Sequence, residues 1–462
     1  MAFHRNDDKS PCAIYVHAGA GFHSYQTEGM HLWVCQQAAM LGMSILKAKG
    51  RAIDAVEAAI KFLEDHEITN AGYGSNLSVN GTVECDATVV DHLGRSGAVG
   101  AVEHIKNPIS LARMVLDTST KPLSLNRVPP NLLVGSGATD FAYERGMPIL
   151  HSDFLISPGS RERWLRWKHD LEQAELADKE AASQMDADYQ DSMRGPYETA
   201  TDSPTEAQHG NNLMPNAGSG RTRGTDGSHD MGSFDPPVAD TPGAASEAPR
   251  SASATNATTP PFDKTLKDAA DNIMDTVGAI AVDCRGNIAA GSSSGGIGMK
   301  HSGRTGPAAL VGIGTAVVPI DPKDDTQTCV AAVSSGTGEH MATTMASSVC
   351  AERIYSSTRK VPGQPGTIES VTEDEALKAM IDADFMGHPG VQSSHCHAAI
   401  GIMTVKKTKD GIEFYFGHNT DSFAIASMHS KDADPVCVMS RSRGNGKVAQ
   451  GGRLMQFNRY DP

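Results

Sequence analysis

The chain has 462 residues, a formal net charge of −15 and only 5% aromatic residues. That length suits one large or two ordinary domains. The acidic balance argues against a nucleic-acid partner, and no apolar run approaches the roughly 18 residues of a membrane-spanning helix. Much of the charge is local: residues 161–260 hold 9 Lys and Arg against 17 Asp and Glu, a net of −8.

In chain order, the first ten residues are polar and lack a signal-peptide core. Ala13 to Val16 reads as a short strand ending in His17-Ala-Gly-Ala-Gly. Glu28 to Lys49 and Ile53 to Asp65 read as helices with Gly50 between them, and Ile53, Val56, Ile60 and Leu63 make one apolar face. Strands follow at Thr82–Val90 and Ala98–Val102, a helix at Ser110–Leu116, a strand at Leu132–Gly135 and a helix at Ala138–Arg145. Residues 160–190 read as a charged helix on which Trp164, Trp167 and Leu171 form a stripe able to dock on the body; its plainer reading is a partly solvated lead into a linker.

From 192 to 261 the composition changes to Ser, Gly, Ala, Thr, Pro and Asp, with nine prolines between 196 and 261. Such a segment cannot bury enough apolar surface to order itself and reads as a disordered insertion. After it, Thr276 to Val282 and Ile288 to Ser293 form a hairpin about Arg285-Gly286-Asn287. Strands are expected near 309–317 and 328–334, helices near 338–356 and 373–384, and a terminal hairpin at Ala398–Val405 and Glu413–Gly417.

The eight cysteines are widely spaced with no Cys-x-x-Cys pair, which reads as reduced thiols in an intracellular protein, cytoplasmic or nuclear. Cys396 lies between His395 and His397, but no second ligand cluster accompanies it, so no metal and no cofactor are expected.

The chemistry concentrates at Asp275-Thr276, directly after the insertion. A threonine hydroxyl is a poor nucleophile without a nearby base. A free α-amine, with an ordinary pKa of about 7.7–8.0, can be that base on the same residue. The amine exists only once the preceding peptide bond is cut. The junction therefore suits an enzyme that cleaves its own chain, giving an α part (1–275) and a β part (276–462) of one catalytic domain. An isolated Asp-Thr would equally suit an ordinary strand start; the residues around it tip the balance.

Thr276-Val-Gly-Ala, Ser-Ser-Gly-Gly at 293–296 and Gly-Arg-Thr-Gly at 303–306 resemble the N-terminal-nucleophile asparaginase family, which includes glycosylasparaginase and taspase, the threonine aspartase. YVHAGAG at 15–21, NAGYGSNL at 70–77, ECDATVVD at 84–91 and SSGTGEH at 334–340 resemble further motifs of that family in the same order. ECDA, KHSGR with GPAAL, GAVGAVEHIKNP and RVPPNLLVG are most similar to taspase. The resemblance implies an α+β fold, a four-layer αββα sandwich built jointly by both parts, and αβ units pairing into an (αβ)₂ assembly.

It also implies roles. Thr276 is the nucleophile and Ser294, 18 positions on, supports it. Ser335 and the Gly336 amide form the oxyanion pair, with Asn70 near the same centre. Arg304 grips a substrate carboxylate with its two-pronged guanidinium, and Gly338 lines the same subsite. Each has a plainer reading: a turn serine for Ser294, an Asn-Ala-Gly turn for Asn70, surface decoration for Arg304.

One position departs from the family's amidases. Members acting on free asparagine or isoaspartyl peptides carry, three residues after this arginine, an aspartate that pairs with the substrate's α-ammonium; here it is Pro307. An aspartyl residue inside a polypeptide has no α-ammonium and loses nothing. The departure favours a threonine endopeptidase that cuts protein substrates after an internal Asp. An asparaginase or isoaspartyl peptidase is the alternative, and a catalytically idle binding protein on this fold is the reading from another class.

Overall fold

A hairpin of small and β-branched residues sits in the middle of the larger sheet, and the computed structural model shows why so few of its residues are polar before the closing serines: both of its faces are covered. The structure describes residues 11–193, 275–442 and 447–457, so beyond Met193 the expected insertion lies outside the described residues. The chain divides into one unit of residues 1–179 and 265–462 and a second of 180–264, of which only the helical residues to 193 are described.

The strands are β1 (Ala13–Gly21), β2 (Cys85–Val90), β3 (Ser96–Val102), β4 (Leu132–Val134), β5 (Val277–Val282), β6 (Ile288–Ser294), β7 (Thr315–Val318), β8 (Cys329–Gly336), β9 (Thr358–Lys360), β10 (Ile368–Ser370), β11 (Ile400–Lys407), β12 (Gly411–His418), β13 (Ser422–His429), β14 (Val436–Arg441) and β15 (Ala449–Gln456). The helices of seven or more residues are α1 (Glu28–Lys47), α2 (Ala52–Glu64), α3 (Pro108–Ser119), α4 (Gly135–Glu144), α5 (Pro158–Met193), α6 (Gly338–Thr344), α7 (Ala346–Ser356) and α8 (Glu373–Ala379). Helices and sheets alternate along the chain, but the sheets are mainly antiparallel, which makes this an α+β protein.

An eight-stranded sheet runs β14-β13-β1-β5-β6-β2-β3-β4, and a five-stranded sheet runs β15-β12-β11-β8-β7. Strand alternation assigns side chains to separate cores. Ile14, Val16 and Ala281 face α1 and α2, joining Val34, Met43, Val56, Ile60 and Leu63. Tyr15, Ile280, Val282 and Ile288 point the other way and meet Val333, Met403, Val405 and Phe414 of the smaller sheet. Val330, Ala332, Ile400 and Ile402 on that sheet's other face pack on Cys350, Ile354, Leu377 and Ile381.

Several expected elements differ. The first strand does not stop at Val16. It runs to Gly21 through an irregularity between His17 and Ala20, where Gly19 takes φ +109. The helix expected at 338–356 is two, α6 and α7, because Met345 between them is left-handed (φ 52, ψ 45). The strand expected near 309–317 begins only at Thr315, since Pro307–Ala309 forms a 3₁₀ turn. The helix expected to 384 leaves α-geometry after Ala379 and continues as a π turn, Met380–Phe385. The hairpin of β11 and β12 is not terminal: β13, β14 and β15 follow, and β13 pairs directly with β1. Its sequence, SFAIASMH, is buried on both faces and so lacks the simple alternation that marks a strand.

Candidate active site

The β5–β6 register fixes the centre. Val277 lies opposite Ser293, so continuing the ladder by one rung sets Thr276 opposite Ser294. Thr276 and Ser294 are both 2% exposed. Ser335, the penultimate residue of β8, comes across from the other sheet: its Oγ accepts the Thr276 N–H at 3.1 Å and the Ala20 N–H at 3.1 Å. Gly336 follows with φ +149, where a Cβ would strike the Ala399 backbone, so only glycine fits. Ser335 thus reaches the Asp275–Thr276 peptide unit directly, and the strand register brings Ser294 alongside it.

The Ser294 turn is held from the α part. Asn70 donates Nδ2–H to the Gly296 carbonyl at 2.8 Å, its Oδ1 accepts the Asn76 N–H at 2.9 Å, and its carbonyl accepts the Gly295 N–H at 2.8 Å. The first and last of these tie Asn70 to the turn, the Asn76 bond closes its own loop, and Ser294 Oγ accepts the Gly296 N–H within the turn at 3.0 Å. The geometry gives Asn70 a turn-holding position; its polar contacts do not reach Thr276.

The next segment, 299–306, carries Arg304 and is zipped to the α part by residues that sequence reasoning quoted but gave no role. Lys300 is buried and donates to the Glu84 carbonyl at 2.6 Å, the Glu84 carboxylate accepts the Gly303 N–H at 2.7 Å, and Asp86 accepts the Gly306 N–H at 2.6 Å and the Ala101 N–H at 2.8 Å. Burial pushes the Asp86 carboxyl up, opposed by Lys300, the two amides and Arg304. The similarity of the ECDA and KHSGR segments to one family therefore has a physical basis: they hold each other. α5 adds to this clamp. Trp164 donates Nε1–H to the Ser78 carbonyl at 2.9 Å, and the Trp167 ring occupies the space over Gly298; Leu171 is exposed.

Arg304 does not point into open solvent. Its Nε and Nη2 both donate to Glu339 Oε1, at 3.0 and 2.7 Å, and its side chain is 15% exposed against 62% for Glu339. Burial raises the Glu339 carboxyl, but the Arg304 hydrogen bonds and charge outweigh it and leave it below its usual range. A Cβ on Gly338 would stand 2.9 Å from Arg304 Nη2, so a bare backbone lets the guanidinium lie flat there. Pro307, also buried, flanks Gly338. No sequence signal announced Glu339; it is adjacent to Gly338 but 35 residues from its partner.

Two more buried groups border the centre. His17 lies over Gly278, where only glycine leaves room for its ring, and burial lowers its pKa to about 3, with the nearby Thr276 backbone opposing. Among the described residues, neither ring nitrogen reaches a partner at normal hydrogen-bond geometry. Beneath Ser293, Glu64 accepts Ser293 Oγ–H at 2.7 Å and the Ile109 N–H at 2.9 Å. Burial pushes its carboxyl up to about 8, against those hydrogen bonds. The folded state then holds a proton that the unfolded chain releases above its ordinary pKa of about 4.3, so stability falls as pH rises from there through 8. Glu64→Gln should remove this slope: its melting temperature relative to wild type should improve between pH 5 and 8. A constant difference across that range would show that Glu64 is charged in the fold.

Among the described residues, no helix is long and apolar enough to cross a membrane, and no group of three His, Cys, Asp or Glu gathers as a metal site.

Two sheets share a buried core, and Thr276 directly precedes the central strand β5, an arrangement that accords with the N-terminal-nucleophile hydrolase fold. The family model for asparaginase matches residues 10–202 and 243–410, and the chain belongs to that asparaginase family. It is 28% identical over 302 residues to an isoaspartyl peptidase/L-asparaginase of Xenopus laevis, covering 65% of each chain. It is 30% identical over 310 residues to a probable isoaspartyl peptidase/L-asparaginase 2 of Arabidopsis thaliana, covering 66% of this chain and 71% of that one. With the Homo sapiens isoaspartyl peptidase/L-asparaginase it shares 37% over 163 residues, 35% of this chain and 50% of that one. The chain thus spans just under two thirds of the Xenopus relative's length and half of the human one's.

Proposed function

We propose that this chain cleaves itself between Asp275 and Thr276, folds as an αββα sandwich made by both parts, and then works as a taspase-like threonine endopeptidase that cuts proteins after aspartate. Thr276 Oγ attacks the Asp275 carbonyl carbon, the C–N bond breaks, and the hydroxyl proton goes to the departing nitrogen, which becomes the α-amine. Water then hydrolyses the ester and restores the hydroxyl. In the mature enzyme the amine takes the hydroxyl proton, Ser294 supports the nucleophile, Ser335 and the Gly336 amide face the oxyanion, and Arg304 and Gly338 receive the substrate carboxylate. The αβ units pair into (αβ)₂ and act in the cytoplasm or nucleus on protein substrates.

The observation that carries the endopeptidase reading is Pro307. A buried proline stands where, by the family resemblance, the amidases carry an aspartate for a free amino group. A second reading, isoaspartyl peptidase or L-asparaginase, has two supports. The relatives' names agree with it rather than with the first, and Glu339 supplies a carboxylate beside Arg304 that an α-ammonium could use. An internal-Asp peptide, an isoaspartyl dipeptide and free asparagine, offered to the processed protein, separate the two. The first reading expects the peptide to be preferred by at least about 10²-fold in kcat/KM, some 3 kcal/mol; the opposite order favours the second.

Glu339→Gln sharpens the choice. For an endopeptidase, Glu339 competes with the substrate carboxylate for Arg304. Its removal should lower KM for the aspartyl peptide by up to roughly fivefold, since a partly exposed pair is worth up to about 1 kcal/mol. For an amidase it removes the ammonium partner and KM for free asparagine should rise. Initial rates over a range of substrate concentrations distinguish the two signs.

A further inference from the structure

The Asp275 side chain occupies a seat built by residues 19–23. It is 3% exposed, and its Oδ2 lies 3.1 Å from His23 Nε2. A Cβ on Gly19 would overlap the Asp275 side chain, and one on Gly21 would come within 2.5 Å of its Oδ1, so the carboxylate fits only because both are glycine. The imidazole is fixed from behind: His23 Nδ1 lies 2.9 Å from Ser422 Oγ, the His23 N–H donates to the same oxygen at 2.8 Å, and the His31 ring packs edge-on at 4.4 Å. Ser422 Oγ also lies 3.3 Å from the Gly21 carbonyl, so one hydroxyl ties the imidazole to the glycine seat and leaves Nε2 facing the Asp275 carboxylate. The same segment also reaches the other side of the bond, because Ala20 N–H donates to the Ser335 oxygen that accepts Thr276 N–H.

We infer that residues 19–23 are the binding seat for the aspartyl carboxylate on the acyl side of the bond cleaved in cis, and that His23 is a positioning residue for self-cleavage, acting through Asp275. The inference rests on the self-cleavage reading above. It gives the HAGAG motif a role and separates two carboxylate sites: His23 with its glycines for maturation, and Arg304, which the uncut chain keeps on Glu339. Holding Asp275 by its side chain restricts its carbonyl carbon to the neighbourhood of the Thr276 hydroxyl, and pre-set geometry of this kind is where an intramolecular attack gains most of its rate.

The rate of conversion to two fragments tests this in wild type, His23→Ala, His23→Gln, Asp275→Asn and the His23→Ala/Asp275→Asn pair. His23→Ala should slow conversion at least about tenfold, and His23→Gln, which keeps a neutral N–H donor, should recover at least about threefold of it. In the Asp275→Asn background His23→Ala should cost less than about twofold, because the carboxylate through which it acts is gone. If Asp275→Asn is too slow to read, the Gln and Ala rates decide. A full His23→Ala effect in the Asn background, equal losses in Gln and Ala, or wild-type rates in His23→Ala would each overturn the inference while self-cleavage stands. A wild-type chain that never cuts sinks the self-cleavage reading and this inference together.

Discussion

Thr276→Ala is expected to remain one chain of 462 residues and to lose hydrolytic activity by on the order of 10⁴-fold or more. Alanine has no oxygen to attack the Asp275 carbonyl, and without the cut there is no α-amine to serve as base. The two losses share one cause, so they should appear together. The fold should survive, because Thr276 contributes a small side chain at a strand start while β5 is held by β1 and β6 on either side. Thr276→Ser keeps the hydroxyl and should still convert, more slowly if the missing methyl loosens the rotamer. Gel migration and a rate assay on the same preparations check this; full activity in an uncut Thr276→Ala chain would remove Thr276 from the chemistry.

The second large effect concerns charge on the substrate. Replacing the aspartate before the scissile bond by asparagine keeps the shape and removes the anion. Arg304 is mostly covered, and a charge-assisted pair is about twice as strong as a neutral one, so a guanidinium left without its anion also bears a desolvation cost. Cleavage should fall at least ~10²-fold, on the order of 3 kcal/mol. Arg304→Lys should also be impaired, because one ammonium cannot reproduce the two donors that now meet Glu339 Oε1. Pro307→Asp is the converse change and should raise activity on free asparagine if an ammonium partner is what the site lacks. Values of kcat/KM for Asp and Asn peptides on wild type and Arg304→Lys check it. Equal rates on the two peptides would take Arg304 out of specificity.

What could be read from the sequence follows from how local each signal is. The hairpin about Gly286 is legible from spacing, because it is set by two adjacent strands and their turn, whereas Ser294 could be named only through the resemblance. The apolar face of α2 was legible for the same reason, and Ile53, Val56, Ile60 and Leu63 all enter the core. Ser335 could be named only through its motif, since it meets Thr276 across 59 residues and two sheets. β13 was missed because its pairing with β1 joins residues some 400 positions apart, and burial on both sides erased its alternation. The Glu339 contact to Arg304 and the His23 contact to Asp275 have no sequence pattern at all; they exist because a helix start and a bulged strand end close on the same centre. Asn70, which the resemblance places near the same centre, hydrogen-bonds the turn that carries Ser294.

The most direct test is the intact mass and amino-terminal sequence of the fragments in purified wild-type protein, taken over time beside Thr276→Ala. The account predicts a smaller fragment beginning Thr-Val-Gly-Ala at Thr276, accumulating in wild type and absent from the variant. A break lying mainly within 192–261, or the same fragments from Thr276→Ala, would mean cleavage by another protease and would contradict it.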